Sequence, residues 1–215
     1  MAEINMQYFG DLPAAEELLR RAIELEPTAW RYSALANVIR QMGAPEAALE
    51  YNNVAIELEP DEADYYMERA ATYWPFLNEP EPALADVNRA IALAPDRADF
   101  VAIRGQIFFH LGDLDAAQAD FDQALRMDDG LPWAHVDRAL LYRERGELDA
   151  ALADLDRAVA LEPGNANTFL ERGYTYLWLG EQPLKALSDF NTGLEIDPDN
   201  APLYLARSQV YASYL

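Results

Sequence analysis

The hexapeptide AIELEP at residues 22–27 returns unchanged at 55–60, and variants follow as AIALAP at 90–95, ALRMDD at 124–129, AVALEP at 158–163 and GLEIDP at 193–198. The closing residues Pro27, Pro60, Pro95, Asp129, Pro163 and Pro198 are 33, 35, 34, 34 and 35 residues apart. Self-similarity at so regular a period marks an array of one supersecondary unit. Twelve residues before each closing residue stands an alanine: Ala15, Ala48, Ala83, Ala117, Ala151 and Ala186. Earlier in each unit a small residue (Ala36, Ala70, Gly105, Ala139, Gly173, Ser208) is followed three positions later by a bulky one (Ile39, Tyr73, Phe108, Tyr142, Tyr176, Tyr211).

Small residues at helical spacing let two helices approach closely, and the bulky residue one turn on fills the adjoining groove. Between the halves lies a turn such as RGELD, whose glycine (Gly10, Gly43, Gly112, Gly146 or Gly180) suits the left-handed conformation that ends a helix. The closing proline stops the second helix. Each unit therefore reads as two short amphipathic helices.

The pattern resembles the tetratricopeptide repeat family, whose period is 34 residues. The resemblance covers essentially the whole chain and implies an all-α, right-handed solenoid of helix-turn-helix units. On this reading residues 1–215 form a single solenoid domain. It comprises a partial repeat at 1–27, repeats at 28–60, 61–95, 96–129, 130–163 and 164–198, and a terminal helix at 199–215. The departures are local: Asp129 replaces a closing proline, Gly193 replaces an alanine, and the family's early tryptophan is Tyr32, Tyr66, Val101, His135, Phe169 or Tyr204. An extra residue in the third and sixth repeats, near Pro75, Pro80, Pro82 and Pro183, predicts irregular turns there. A lone helix tail at residues 1–9 and an unpaired first helix after residue 200 read as the ends of a fragment of a longer array.

Arginine precedes the small position in five units (Arg69, Arg104, Arg138, Arg172, Arg207), and in four of them aspartate stands three residues after the second helix's alanine (Asp86, Asp120, Asp154, Asp189). The unit with Leu35 at the arginine position has Tyr51 at the aspartate position. Because the two positions change together, structural ion pairs Arg69–Asp86, Arg104–Asp120, Arg138–Asp154 and Arg172–Asp189 are expected to join the helices of each unit. Arg207 is expected to lack a partner.

In the family the first helices line a concave face. Carried over, this implies a groove whose partner-binding residues are Trp30, Asn37, Met67, Trp74, Gln106, Phe109, Trp133, Leu140, Leu170, Tyr174 and Trp178. All four tryptophans of the chain fall on this stripe. Exposed apolar patches with aromatic anchors mark interaction sites, whereas packing between neighbouring first helices is the alternative. The expected partner is a protein or peptide, apolar with basic flanks, because Asp64, Asp99, Asp137 and Glu171 would give the groove an acidic rim. Some members of the family grip a terminal carboxylate with lysine and asparagine. Here Asn37 matches, Ser33 stands where lysine is needed and Lys185 lies outside the groove, which argues against that mode.

A formal charge of -22 over 215 residues repels nucleic acid and anionic membrane surfaces. With no cysteine, disulfides and thiol nucleophiles are out of reach. His110 and His135 have no metal-ligand spacing, and every glycine of the repeats belongs to a turn or a packed position rather than a phosphate loop. No enzyme activity, cofactor or metal is therefore expected. Without a long apolar run or a signal-like start, the expectation is a soluble, cytoplasmic protein. A binding scaffold, a segment that self-associates through its ragged ends, and an enzyme's accessory region remain the three readings.

Overall fold

The computed structural model describes residues 11–214. The expected helix tail at 1–9, the turn glycine Gly10 and Leu215 lie outside the described residues. The chain divides between Phe100 and Val101 into two compact units. The first holds α1 (Leu12–Leu25), α2 (Ala29–Gln41), α3 (Pro45–Leu58), α4 (Ala63–Ala71), α5 (Pro80–Leu93) and the start of α6 (Ala98–His110). The second holds the rest of α6, then α7 (Leu114–Met127), α8 (Pro132–Glu144), α9 (Leu148–Leu161), α10 (Ala166–Trp178), α11 (Pro183–Ile196) and α12 (Ala201–Tyr214). Among the described residues there is no strand, and no helix is long and apolar enough to cross a membrane.

Within each unit consecutive helices pack as antiparallel hairpins stacked in chain order: α2 on α3 and α4 on α5 in the first, α8 on α9 and α10 on α11 in the second. The recurring alanines mark the crossings: Ala48, Ala83, Ala117, Ala151 and Ala186 are all 0% exposed. Volume is balanced across each hairpin. A Cβ on Gly173 would stand 2.3 Å from the Phe190 ring and one on Gly105 3.0 Å from Phe121. In the α8–α9 hairpin the small residue is Ala139, and the facing position carries the smaller Leu155 in the same apolar cluster. A methyl more on one helix is thus matched by a smaller side chain on the other, as close-packed interiors require.

Each second helix ends two residues before its closing residue, and α7 does so at Met127 although Asp129 is not proline. A further bond fixes the link to the next helix. The Tyr66 hydroxyl donates to the Pro60 carbonyl oxygen at 3.0 Å and Tyr204 does the same to Pro198 at 3.0 Å. At the corresponding place His135 Nε2 lies 3.2 Å from the Asp129 carbonyl oxygen. Asp129, which closes one repeat, and His135 in the next are both departures from the family pattern, and they meet each other, so His135 is a structural residue.

Gly43, Gly112 and Gly146 take φ of +85, +79 and +75 as their turns require. Gly180 does not. In the longer turns of the third and sixth repeats the left-handed residues are Asn78 (φ +55) and Glu181 (φ +48), because the added residue moves the reversal downstream. The third repeat departs further. Its first helix stops at Ala71, and Thr72–Phe76 forms a π-turn in which Trp74 is extended (φ -139, ψ 128). Pro75 supplies no amide hydrogen and disfavours helical geometry in the residue before it. Trp74 therefore does not continue the helical stripe on which the periodicity places it.

Candidate functional site

The arginine ladder shows the same geometry in every repeat that has both partners. Arg69 Nε and Nη2 donate to the two carboxylate oxygens of Asp86 at 2.8 and 2.7 Å. Arg104 reaches Asp120 at 2.7 and 2.7 Å, Arg138 reaches Asp154 at 2.8 and 2.8 Å, and Arg172 reaches Asp189 at 2.9 and 2.7 Å. These are bidentate, charge-assisted contacts whose aspartates are buried. Where leucine and tyrosine replace the pair, Leu35 is buried with Tyr51 packed against its cluster.

The third arginine nitrogen extends the ladder between repeats. Nη1 of Arg69, Arg138 and Arg172 donates to Asn53, Asp122 and Asp156 on the preceding second helix, at 2.7, 2.8 and 2.7 Å. Arg207, expected to be without a partner, gives Nη1 to Asn191 at 3.2 Å for the same reason. The signal was present in the sequence: Asn53, Asn88, Asp122, Asp156 and Asn191 all stand two residues after the ladder's acidic position or its Tyr51 equivalent. Asp154 also receives His135 Nδ1 at 2.9 Å. Burial pushes its carboxyl up, but the bonds from Arg138 and His135 outweigh this and hold it below the ordinary aspartate range.

The expected acidic rim is mostly neutralised from within. Arg97 reaches Asp64 at 3.1 Å and Asp99 at 2.7 Å. Glu171 accepts Arg143 Nη1 at 2.8 Å, and Glu68 accepts Arg40 Nη2 at 3.3 Å. Asp137 differs. Its carboxylate accepts Gln106 Nε2 at 2.6 Å and has no ion-pair partner among the described residues, and desolvation pushes it up to about 6. Stability that the protonated group permits is fully present below 3.8 and is lost as pH rises through about 6. Replacing Asp137 with Asn is therefore expected to leave the melting temperature unchanged near pH 3.5 and to raise it at pH 7. The gain is at most about 3 kcal/mol, or roughly 5–10 °C. Equal melting curves at pH 7 would refute the desolvated carboxylate.

The predicted groove residues fall into four sets. Gln106, Trp133, Leu140 and Leu170 come together in the second unit, where they line a cavity of about 370 Å³ with Val136 and Asp137. Leu170 is 8% exposed and belongs to a core cluster, so it forms the wall rather than an open stripe, because a helical period fixes a face but not what covers it. Tyr174 and Trp178 form a stacked pair beside it, with ring centroids 4.4 Å apart and planes at 20°. The Arg143 guanidinium lies 5.4 Å from the Trp178 centroid, and Tyr174 meets Phe190 edge-on at 5.5 Å. Trp178 nevertheless remains 58% exposed. Phe109 is half-buried on α6.

In the first unit, Asn37 is already committed, donating to Glu68 at 3.4 Å and accepting from Gln41. Met67 packs against the Ala63, Ala90 and Phe100 cluster. Trp30 is exposed, and Trp74 is half-buried in the broken turn. Phe76, not predicted, is exposed with Arg40 5.2 Å from its ring centroid. It reaches this position because the π-turn carries the chain past Pro75.

Family profiles match the chain over most of its length: one described as tetratricopeptide repeat at residues 7–63 and 77–132, and one described as TPR repeat at 139–180. The chain belongs to the tetratricopeptide repeat family. This tetratricopeptide repeat protein is similar in structure to one from Parabacteroides merdae, with TM-score 0.75 and 24% identity over 95% of this chain and 80% of that one. It is similar to TTC0263 of Thermus thermophilus, with TM-score 0.73 and 22% identity over 86% and 100% of the two chains. It is also similar to YrrB, described as a TPR protein with an unusual peptide-binding site, with TM-score 0.60 and 23% identity over 90% and 99%. At these identities the likeness speaks for the shared fold. No curated protein matches the chain in sequence.

Proposed function

We propose that the protein is a non-catalytic scaffold that binds a peptide or helical segment of another protein, and that its second unit holds the principal site. The observation that carries this reading is Trp178, a large ring 58% exposed yet held between the Tyr174 ring and the Arg143 guanidinium. An exposed aromatic that is already immobilised loses little further entropy on binding, which is the character of an interface anchor. The adjoining cavity, with its apolar Val136 and Leu140 and polar Gln106, Asn167 and Asp137, has the mixed lining of a recognition site. Repeat proteins of this architecture use such surfaces to bind partners, and the description of YrrB as a peptide binder agrees in kind. Cytoplasmic residence fits the same reading.

The test is a selection of displayed random peptides against the folded chain, followed by titration of a selected peptide with tryptophan emission and amide chemical shifts as readouts. Binding is expected with shifts centred on α8 and α10. A selected peptide that leaves those helices unperturbed would overturn the assignment.

A further inference from the structure

Three acidic side chains occupy one recurring position on the first helices: Glu68 on α4, Asp137 on α8 and Glu171 on α10, separated by 69 and 34 residues. Each is met by side chains from the first helix before it. Glu68 accepts Asn37, 31 residues earlier, and Arg40, 28 earlier. Glu171 accepts Arg143, again 28 earlier. Asp137 accepts Gln106, 31 earlier, at 2.6 Å. The residue 28 before Asp137, which would complete the pattern with a guanidinium, is Phe109. Asp137 is thus a carboxylate in a position built for an ion pair, with an aromatic ring at the sequence position of its cation. It also faces a cavity of about 370 Å³, inside the range of small-ligand pockets of about 300–1,000 Å³.

We propose that this cavity receives an arginine or lysine side chain of the bound peptide, whose cation pairs with Asp137 as Arg40 and Arg143 pair with Glu68 and Glu171. The proposal rests on the peptide-binding reading above and sharpens it. Charge selects the occupant. The other titratable groups lining the cavity are Glu162, from the link after α9, and Glu171, from α10. Glu171 is already paired with Arg143, and Glu162 accepts Asn165 at 2.9 Å. Gln106 faces the carboxylate from α6 and is neutral. An anionic side chain would meet three carboxylates, a neutral one would leave Asp137 desolvated without compensation, and a cation satisfies it. Trp133, Val136 and Leu140 suit the apolar stem that arginine and lysine carry below their charge.

Two experiments test this. First, butylguanidinium is titrated into the ¹³C-labelled chain while the Asp137 carboxyl is followed by NMR. Saturation is expected to lower the midpoint of its titration, and butanol is expected to leave it unchanged. Phe109→Arg, which supplies the cation from within, should produce the lowered midpoint without ligand and remove the response. If that variant does not fold, Asp137→Asn replaces it and should remove the butylguanidinium shifts at the cavity's other residues. An unmoved midpoint in wild type overturns the proposal.

Second, display selections are run in parallel on wild type and Asp137→Asn. Wild-type peptides should share an arginine or lysine whose replacement by citrulline or norleucine weakens binding about 30-fold, and Asp137→Asn should abolish that difference. Because burial pushes the carboxyl up to about 6, the wild-type peptide should bind about tenfold more weakly at pH 5 than at pH 7. Peptides that bind through Trp178 with no cationic preference would refute this inference and leave the proposed function standing. Failure to select any peptide, with the butylguanidinium response intact, would overturn the peptide-binding reading and leave only a cation-binding cavity at Asp137.

Discussion

Replacing Asp154 with Ala is expected to lower the stability of the second unit by about 3–5 kcal/mol, a fall in melting temperature on the order of 10 °C. Asp154 is 5% exposed, binds Arg138 through both oxygens, and receives the buried His135 as well. Removing it leaves Nε and Nη2 of a guanidinium whose side chain is 19% exposed, and Nδ1 of an imidazole that is 4% exposed, without their acceptor, although Arg138 keeps Asp122 and His135 keeps the Asp129 carbonyl. The cost lies in those uncompensated partners rather than in the missing carboxylate. Asp156→Ala is the comparison: it also removes an arginine contact, at 2.7 Å, but its side chain is 59% exposed, and the loss should stay below about 1 kcal/mol. The chain contains its own rescue, since the second repeat replaces arginine and aspartate with the buried Leu35 and the half-buried Tyr51 packed against its cluster. In the sixth repeat, Arg172→Leu with Asp189→Tyr should therefore be more stable than Asp189→Ala alone. Thermal melts of these four variants check the scheme. A loss for Asp154→Ala no larger than that for Asp156→Ala would show that the ladder does not hold the hairpins together.

What could be read in advance follows from the range of each interaction. Helical hairpins and their register were legible because the determinants, Ala151 at the crossing or Gly146 in the turn, act within one repeat. The Arg138–Asp154 type of pair was legible because two positions vary together across copies, with Leu35 and Tyr51 as the informative exception. The carboxylate stations were not, because Glu68 and Asp137 meet partners 28 or 31 residues away, contacts that exist once hairpins are stacked. Such contacts explain why the acidic rim largely disappears: Arg40 and Arg143 reach forward to Glu68 and Glu171, and Arg97 reaches back to Asp64 while also pairing with its near neighbour Asp99. Trp74 and Leu170 fail as open groove residues for different reasons. Pro75 breaks the period at Trp74, whereas Leu170 keeps the period and is covered by its neighbours. Phe76 had no periodic signal at all.

Trp178→Ala is expected to weaken a selected peptide at least 30-fold, which corresponds to about 2 kcal/mol, while the fold melts within a few degrees of wild type. The two effects separate because Trp178 is 58% exposed, so truncation forfeits a stacking contact worth about 1 kcal/mol within the chain but most of the surface available to a partner. Burying the exposed part of such a ring is worth on the order of 3 kcal/mol at 25 cal/mol per Å². Tyr174 calls for a gentler change. It is half-buried, packs against the core cluster and meets Phe190 edge-on, so alanine there would disturb the core beneath the site. Tyr174→Leu keeps most of that packing and removes the flat surface on which Trp178 rests; about a tenfold loss of affinity is expected from the freed indole alone. Trp30→Ala, which truncates another exposed indole at 48% in the first unit, is the control. Isothermal titration of the same peptide against the three variants decides the matter. An affinity loss for Trp30→Ala equal to that for Trp178→Ala would mean that any exposed ring serves, and that the stacked pair has no special part in recognition.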